Sequence, residues 1–263
     1  MKPPTPNRRT ARRLAIAVLC LLSAGLGTSQ ALAAPGGLAV TPGILEHVAQ
    51  PGGVGSLEVA NRSARSMRIS VALRPWLQSR SGAVTPNRRG LLGRMSPNRL
   101  SFRLRAGAAR SIPLRLTRRP SGGSLYGAVE VTGTPQRGHG KNIEVAYRLI
   151  TSLRLFPAVG ARRYRAQPGR LFQHGSTRRG ALYLTVKNRG NTIDPIGGKV
   201  RIRGQGRTLS GVVSPQTILP GATVNVRLTR LVGNLPRGHY QVGVRLTQAG
   251  HKAGGFKGGV QLH

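Results

Sequence analysis

After residue 34 the chain repeats one pattern: short runs in which apolar and polar residues alternate, each bounded by Gly, Pro, Asn or Ser. A period of two puts all the apolar side chains of a run on one face of an extended strand. The pattern therefore predicts half-buried antiparallel strands and leaves little room for helix. Leu57 and Val59 mark one such strand; Ile69, Val71 and Leu73 mark the next. Leu100, Phe102 and Leu104 follow, then Ile112, Leu114 and Leu116, then Val129 and Val131. The longest run carries Ile143, Val145, Tyr147, Leu149, Leu153 and Leu155. Beyond a Gly- and Arg-rich break over residues 160–180 the texture resumes in Leu182, Leu184 and Val186, and in Val200 and Ile202. Val224, Val226 and Leu228, then Val242, Val244 and Leu246, complete the series. The fold class is read as all-β.

The two halves of this region echo each other, as tandem copies of one unit do. Val59-Ala60-Asn61-Arg62-Ser63 returns as Val186-Lys187-Asn188-Arg189-Gly190. Ser96-Pro97, Gly107-Ala108 and Arg115-Leu116-Thr117-Arg118 return as Ser214-Pro215, Gly221-Ala222 and Arg227-Leu228-Thr229-Arg230. Pro120, Tyr126, Val129, Val131 and Thr132 parallel Pro236, Tyr240, Val244, Leu246 and Thr247. Three matches in the same order predict two tandem immunoglobulin-like β-sandwich domains of about seven strands each. The predicted boundaries are a signal peptide at 1–33, an N-terminal sandwich at 34–158, a basic linker at 159–180 and a C-terminal sandwich at 181–263. Asn61 and Asn188 then turn the chain between strands. Tyr126 and Tyr240 tie sandwich corners, and Trp76, the only tryptophan, follows its strand and packs at the core or its rim.

The first 33 residues have a different texture. Lys2, Arg8, Arg9, Arg12 and Arg13 form a basic start, residues 14–26 an apolar stretch too short to span a bilayer comfortably. Ala31 and Ala33 are the small residues of a cleavage site, so the cut is expected after Ala33. The Arg pairs leave general and twin-arginine export both open. The single cysteine, Cys20, lies in the apolar stretch, so the mature chain has no disulfide, thiolate metal site or cysteine nucleophile. No later apolar run is long enough for a membrane span. The expected location is the cell surface, the periplasm or the medium.

Charge narrows the partners. The chain has 42 Lys and Arg against 5 Asp and Glu, a formal net charge of +37; without the five leader cations it is +32. The mature lysines are only Lys141, Lys187, Lys199, Lys252 and Lys257. A GC-rich genome favours Arg over Lys but does not explain the scarcity of acids. Such a field attracts polyanions and repels other copies of the protein. Outside a cell the candidates are wall polymers, acidic polysaccharide, phospholipid headgroups and DNA; adaptation to an acidic medium needs no partner. Arg80, Arg88, Arg89, Arg94 and Arg99 crowd the connection at 75–99, and Arg162, Arg163, Arg165, Arg170, Arg178 and Arg179 the break between halves. These are the candidate polyanion-binding residues, a solvated basic face being the alternative. No aromatic residues interleave them, so nucleic acid is expected to bind only without sequence preference.

The stretch Leu38-Ala39-Val40-Thr41-Pro42-Gly43, with Ser56-Leu57-Glu58-Val59-Ala60-Asn61, Ile69-Ser70-Val71, Ser96-Pro97 and Gly107, resembles the N-terminal domain of PapD-like periplasmic chaperones. It is equally similar to the first domain of WxL-interacting surface proteins of Gram-positive bacteria. Both families have signal peptides and two immunoglobulin-like domains, so the resemblance spans nearly the whole mature chain. It implies a partner that is another envelope protein. Pilus chaperones hold a subunit's carboxyl terminus with a basic pair and lend it an apolar strand. On that resemblance Ile143, Val145, Tyr147 and Leu149 are the candidate partner strand, and Lys141 and Arg148 stand nearest it. The first strand has no Arg or Lys near Val40, where the other half of a basic pair is expected. No membrane helix precedes His263, where WxL-interacting proteins usually have one.

Residues for catalysis are sparse. The acids are Glu46, Glu58, Glu130, Glu144 and Asp194. Glu58 and Glu130 lie between apolar strand positions and are expected to face solvent, paired with arginine. Glu46 and His47, as strand neighbours, point to opposite faces. His139, His174, His239, His251 and His263 fall in Gly/Arg loops or at the terminus, without metal-ligand spacing. Gly204-Gln205-Gly206 reads as a hairpin turn. No enzyme activity, metal or cofactor is expected. The primary reading is a non-catalytic envelope-binding or structural protein held to anionic surface polymers. The alternative is an assembly chaperone lending the strand at 143–155, which an unpaired edge there favours and a covered edge disfavours.

Overall fold

The computed structural model describes residues 32–33, 37–135, 145–175, 180–229 and 235–262. The first five strands are β1 (Leu32–Ala33), β2 (Leu38–Thr41), β3 (Ile44–Val48), β4 (Gly52–Asn61) and β5 (Met67–Gln78). There follow β6 (Val84–Pro86), β7 (Met95–Ser96), β8 (Arg99–Leu104), β9 (Ala109–Leu116), β10 (Leu125–Pro135) and β11 (Tyr147–Phe156). One sheet runs β1-β2-β4-β9-β7; the facing sheet runs β3-β11-β10-β5, with β6 and β8 both pairing β5. The alternating residues read from the sequence fill the space between them. Leu57, Val59, Ile69, Val71, Leu73, Ile112, Leu114, Val129, Val131, Leu153 and Leu155 are all buried in one cluster. At Pro42 the chain changes sheets, from β2 antiparallel to β4 to β3 parallel to β11.

After a short 3-10 turn (Val159–Ala161) come β12 (Ala166–His174), β13 (Ala181–Asn188), β14 (Ile196–Gly204) and β15 (Arg207–Gln216). β16 (Thr223–Thr229), β17 (Gly238–Gln248) and β18 (His251–Leu262) complete the chain. A sheet β12-β13-β16 faces a sheet β15-β14-β17-β18 over a second apolar cluster that includes Leu182, Leu184, Val200, Val224, Tyr240 and Val244. The architecture is the tandem pair of immunoglobulin-like sandwiches that the resemblance to PapD-like chaperones implies.

Several expectations are corrected. Residues 166–174, read as linker from their Gly/Arg composition, form β12, which pairs β13 through a bulge between Pro168 and Leu171. The connection at 75–99 is not a plain loop: β5 continues to Gln78, so Trp76 lies within a strand opposite Pro86 of β6. β18 had no apolar alternation to reveal it, yet it pairs β17 along nearly its whole length. Its glycines answer to packing: a Cβ on Gly254 would collide with the carbonyl oxygen of Ala166 on β12. Gln205 and Gly206, at φ 51° and 70°, make the two-residue hairpin between β14 and β15, as the sequence predicts. The signal-peptide residues up to Ala31 lie outside the described residues. Leu32 and Ala33 pair with β2, and a cut after Ala33 would remove that strand.

The sequence echo around the two asparagines is structural. Asn61, buried at the end of β4, donates from Nδ2 to the carbonyls of Arg65 (2.8 Å), Leu104 (3.2 Å) and Arg105 (3.0 Å) and accepts at Oδ1 from Ser63. Asn188, at the end of β13, repeats this in the second sandwich. They are buried brackets between strands more than turn residues, and the Asn61 amide is fully engaged.

Hydrogen bonds, mostly from uncharged groups, join the sandwiches. Gln78 Nε2 donates to Thr217 O (2.9 Å), and Leu219 N donates back to Gln78 Oε1 (2.8 Å). Asn191 Nδ2 donates to Gly122 O (3.1 Å), and Tyr126 Oη donates to Asn191 O (3.1 Å). Tyr240 ties a corner as expected, donating to Pro236 O (2.9 Å), whereas Tyr126 reaches across to the other sandwich. Burial, partly offset by Ser124, pushes the Tyr126 phenol up to about 12. Its contribution to stability is thus intact below about 10, the ordinary tyrosine value, and lost as pH rises through about 12. In thermal melts across that range the wild type is expected to lose stability that Tyr126→Phe does not lose. Parallel curves for the two proteins would contradict this.

Candidate functional site

β11 is the strand on which the sequence placed partner binding. β10 covers one edge along its whole length, from Leu125↔Leu155 to Gly133↔Tyr147. β3 covers the other edge only over Ser152–Phe156. Ser152 N donates outward to Gly43 O (3.0 Å), so by the period of two the N–H and C=O groups of Ile150 and Arg148 also point outward. Among the described residues nothing hydrogen-bonds to those outward groups. Tyr147 and Leu149 are half-buried and pack against the chain's own core, while Val145, 55% exposed, precedes the strand. Ile143 and Lys141 lie outside the described residues.

The solvent side of this sheet holds an ion cluster. Glu130 on β10, expected to face solvent, is buried because Arg74 and Arg148 close over it. Arg74 Nε lies 3.0 Å and Arg148 Nη2 3.1 Å from Glu130 Oε2. Burial works against the carboxylate, but the hydrogen bond and charge of Arg148, with Arg74 and Arg88, hold its pKa below the ordinary value. Arg148 is thereby engaged within its own sandwich and is not a free anchor for a carboxyl terminus. Glu46 pairs with Arg154 (3.0 Å), Glu58 is exposed, and His47 is bonded locally to Val48 O. Among the described residues no three of His, Cys, Asp and Glu come together, and no helix is long and apolar enough to cross a membrane.

The candidate arginines do not converge. Arg80 lies in the β5–β6 turn, with its carbonyl bonded to Asn225 N across the seam. Arg88 and Arg89 lie on the loop after β6, and Arg99 opens β8. Arg94 is half-buried, donating to Arg119 O (2.7 Å). The backbones of Arg163 and Arg165 bond to the 189–191 segment of the second sandwich, the Arg163 guanidinium donates to Gly122 O (3.4 Å) of the first, and Arg170 sits at the bulge of β12. Arg165 shares a hollow with a second cation, Arg189. Arg162 is exposed; Arg178 and Arg179 lie outside the described residues. A denser group, not singled out in the sequence, lines an open hollow of about 990 Å³ on the outer face of the β15-β14-β17-β18 sheet: Lys199, Arg201, Arg203, Arg245 and Lys257. Lys199, Arg201 and Arg203 alternate along β14, a signal that was legible; Arg245 and Lys257 join them only through strand register.

The sequence matches no protein-family model and no curated protein. Among solved structures it is similar to a chain of a chaperone–tip adhesin complex of CFA/I fimbriae, at 13% identity and a TM-score of 0.45, covering 86% of this chain and 98% of that one. It is similar to the YadV chaperone at 14% identity and a TM-score of 0.40, covering 86% and 99%. For the E. coli chaperone DraB the values are 15% and 0.35, covering 84% and 96%. At these identities and TM-scores the matches decide nothing about function; the tandem sandwiches and the half-covered strand β11 stand on this chain's own geometry.

Proposed function

We propose that this is an exported, non-catalytic envelope protein that binds a partner protein by strand addition along the outer edge of β11. The observation that carries this reading is the halfway coverage of that edge. β3 pairs no further than Ser152, and the outward groups of the next two outward-facing residues, Ile150 and Arg148, have no hydrogen-bonding partner among the described residues, beside a half-buried Tyr147 and Leu149. An extended partner segment gains main-chain bonds there and apolar contacts with the sandwich edge. In amide exchange the Arg148 and Ile150 N–H groups are expected to exchange fast, while Leu149, Thr151 and Ser152 are protected. A synthetic peptide of alternating apolar residues should slow both. Ile150→Pro should abolish the effect without lowering Tm by more than a few degrees, because proline is tolerated where a strand's N–H faces outward. Protection of both amides in the free protein would overturn the reading.

The cation-lined hollow of the second sandwich supports a second reading, electrostatic retention of anionic surface polymers. It expects binding of the mature protein, residues 34–263, to cell-wall fractions at low salt, falling steeply as salt rises.

A further inference from the structure

The outer face of the β12-β13-β16 sheet brings together side chains that the sequence keeps apart. Phe172 and Tyr183 belong to neither apolar cluster, in a chain where Phe, Tyr and Trp make up 4% of the residues. Leu182 and Leu184 point into the core, so Tyr183 between them points out. Phe172 stands directly opposite it on β12, and the two rings stack at 5.7 Å with 18° between their planes. The exposed His174 meets the Tyr183 ring edge-to-face at 6.1 Å. Phe172 and Tyr183 are both half-buried, so each keeps part of its ring in solvent.

Cations frame these rings. Arg227 on β16 stands opposite Tyr183 on its other side and is exposed. Arg170, exposed in the bulge of β12, is held near them by its backbone N–H, which donates to Thr185 Oγ1 (2.7 Å). Lys187 follows on the same face of β13, about 14 Å along the strand from Tyr183. No Asp or Glu occurs in β12, β13 or β16. A cross-strand aromatic pair by itself is ordinary sheet packing. Rings that neither core uses, with arginines on both sides and no acid between, complement a polyanion that has flat faces of its own. Single-stranded nucleic acid is such a chain: its bases stack on aromatic side chains while its phosphates meet cations. A duplex hides its base faces, and inorganic polyphosphate has none.

We propose that this face binds single-stranded nucleic acid without sequence preference, stacking bases on Phe172 and Tyr183 while Arg170 and Arg227 hold phosphates. The site is on the sheet opposite the cation-lined hollow and rests on neither reading above. The test is titration of the full chain with labelled oligo(dT) across a salt series, with a duplex of equal length, inorganic polyphosphate and polyglucuronate as comparisons. Changing Phe172→Leu and Tyr183→Leu together keeps the charge and the apolar bulk. It should weaken oligo(dT) binding about tenfold or more, leave the salt slope unchanged, and alter duplex and polyphosphate binding by about twofold or less. Arg170→Gln with Arg227→Gln should flatten the slope of log K against log salt for oligo(dT) by about 1.4, at about 0.7 per lost contact. An unchanged slope would remove the phosphate contacts. No oligo(dT) binding at low salt, or equal losses for oligo(dT), duplex and polyphosphate in the Leu variant, would overturn the platform. Polyglucuronate weakened as much as oligo(dT) would overturn the nucleic-acid assignment in favour of sugar rings. A measurement on the unaltered protein avoids any folding defect: photocross-links from a 5-iodouracil oligonucleotide should map to Phe172, His174 or Tyr183. Cross-links confined to other residues would again sink the proposal.

Discussion

An Asn188→Ala protein is expected to lose about 3–5 kcal/mol of stability, because three buried partners lose their hydrogen bonds at once. Asn188 is 0% exposed. Its Nδ2 donates to Ile218 O (2.7 Å) and Thr192 O (2.9 Å), and its Oδ1 accepts from Gly190 N (2.8 Å). Gln248 Nε2 gives Thr192 O only a long second contact, at 3.5 Å. Ile218 O has no such reserve among the described residues. Asn188→Asp separates geometry from chemistry. It keeps the shape and the bond from Gly190 N, but turns a carboxylate toward two carbonyl oxygens. At neutral pH it should be at least as damaging as Ala, and in acid it should recover in part as the carboxyl gains a proton to donate. Denaturant melts of both variants near pH 4 and pH 7 provide the check. A loss under about 1 kcal/mol for Asn188→Ala would mean that water replaces the amide.

Glu130→Gln is expected to cost about 2–3 kcal/mol at neutral pH, since it leaves Arg74 and Arg148 facing an amide in a largely desolvated setting. Part of the full cost of breaking a buried pair is spared because Arg148 lies toward solvent. The pH dependence has a definite sign. The folded carboxyl has a depressed pKa, so its contribution is present above the ordinary carboxylate value of about 4.3 and lost as pH falls through the lower folded value. With 5 Asp and Glu in the whole chain, little else titrates in that range. The wild type should therefore lose stability only at strongly acidic pH, and Glu130→Gln should show a flatter acid limb from a lower starting point. An unchanged acid limb in the variant would show that Glu130 does not set it.

The strands that the sequence revealed are those whose apolar residues alternate over a core, such as Ile69, Val71 and Leu73. β12, β15 and β18 escaped because β-pairing asks only for backbone, and Gly or Arg at exposed positions hides it. The echo between Asn61 and Asn188 was visible, but its meaning was not. Asparagine after a strand usually marks a turn, and only Leu104, Arg105 and Ile218, distant in sequence, make these two into brackets. The candidate arginines were chosen by crowding along the chain, and the fold sends those segments in different directions. Crowding across strands, as at Lys199 and Arg245, depends on register, which no single run of sequence carries. Glu130 was misjudged for a related reason. Its polar side of the strand is the outer face, but arginines on the two flanking strands roof it over.

The point at which β3 stops also limits what the open edge can hold. Two outward residues offer one N–H and one C=O each, so an added strand gains at most four main-chain bonds before it meets β3. At about 0.5–1.5 kcal/mol each, or about 2–6 kcal/mol for four, these reach only the low end of the roughly 4–15 kcal/mol lost when two bodies become one. The edge is too short to act as a generic adhesive for stray strands, including those of its own copies. Only a segment that also inserts apolar side chains beside Tyr147 and Leu149 would stay, so the length of β3 works as a selectivity filter.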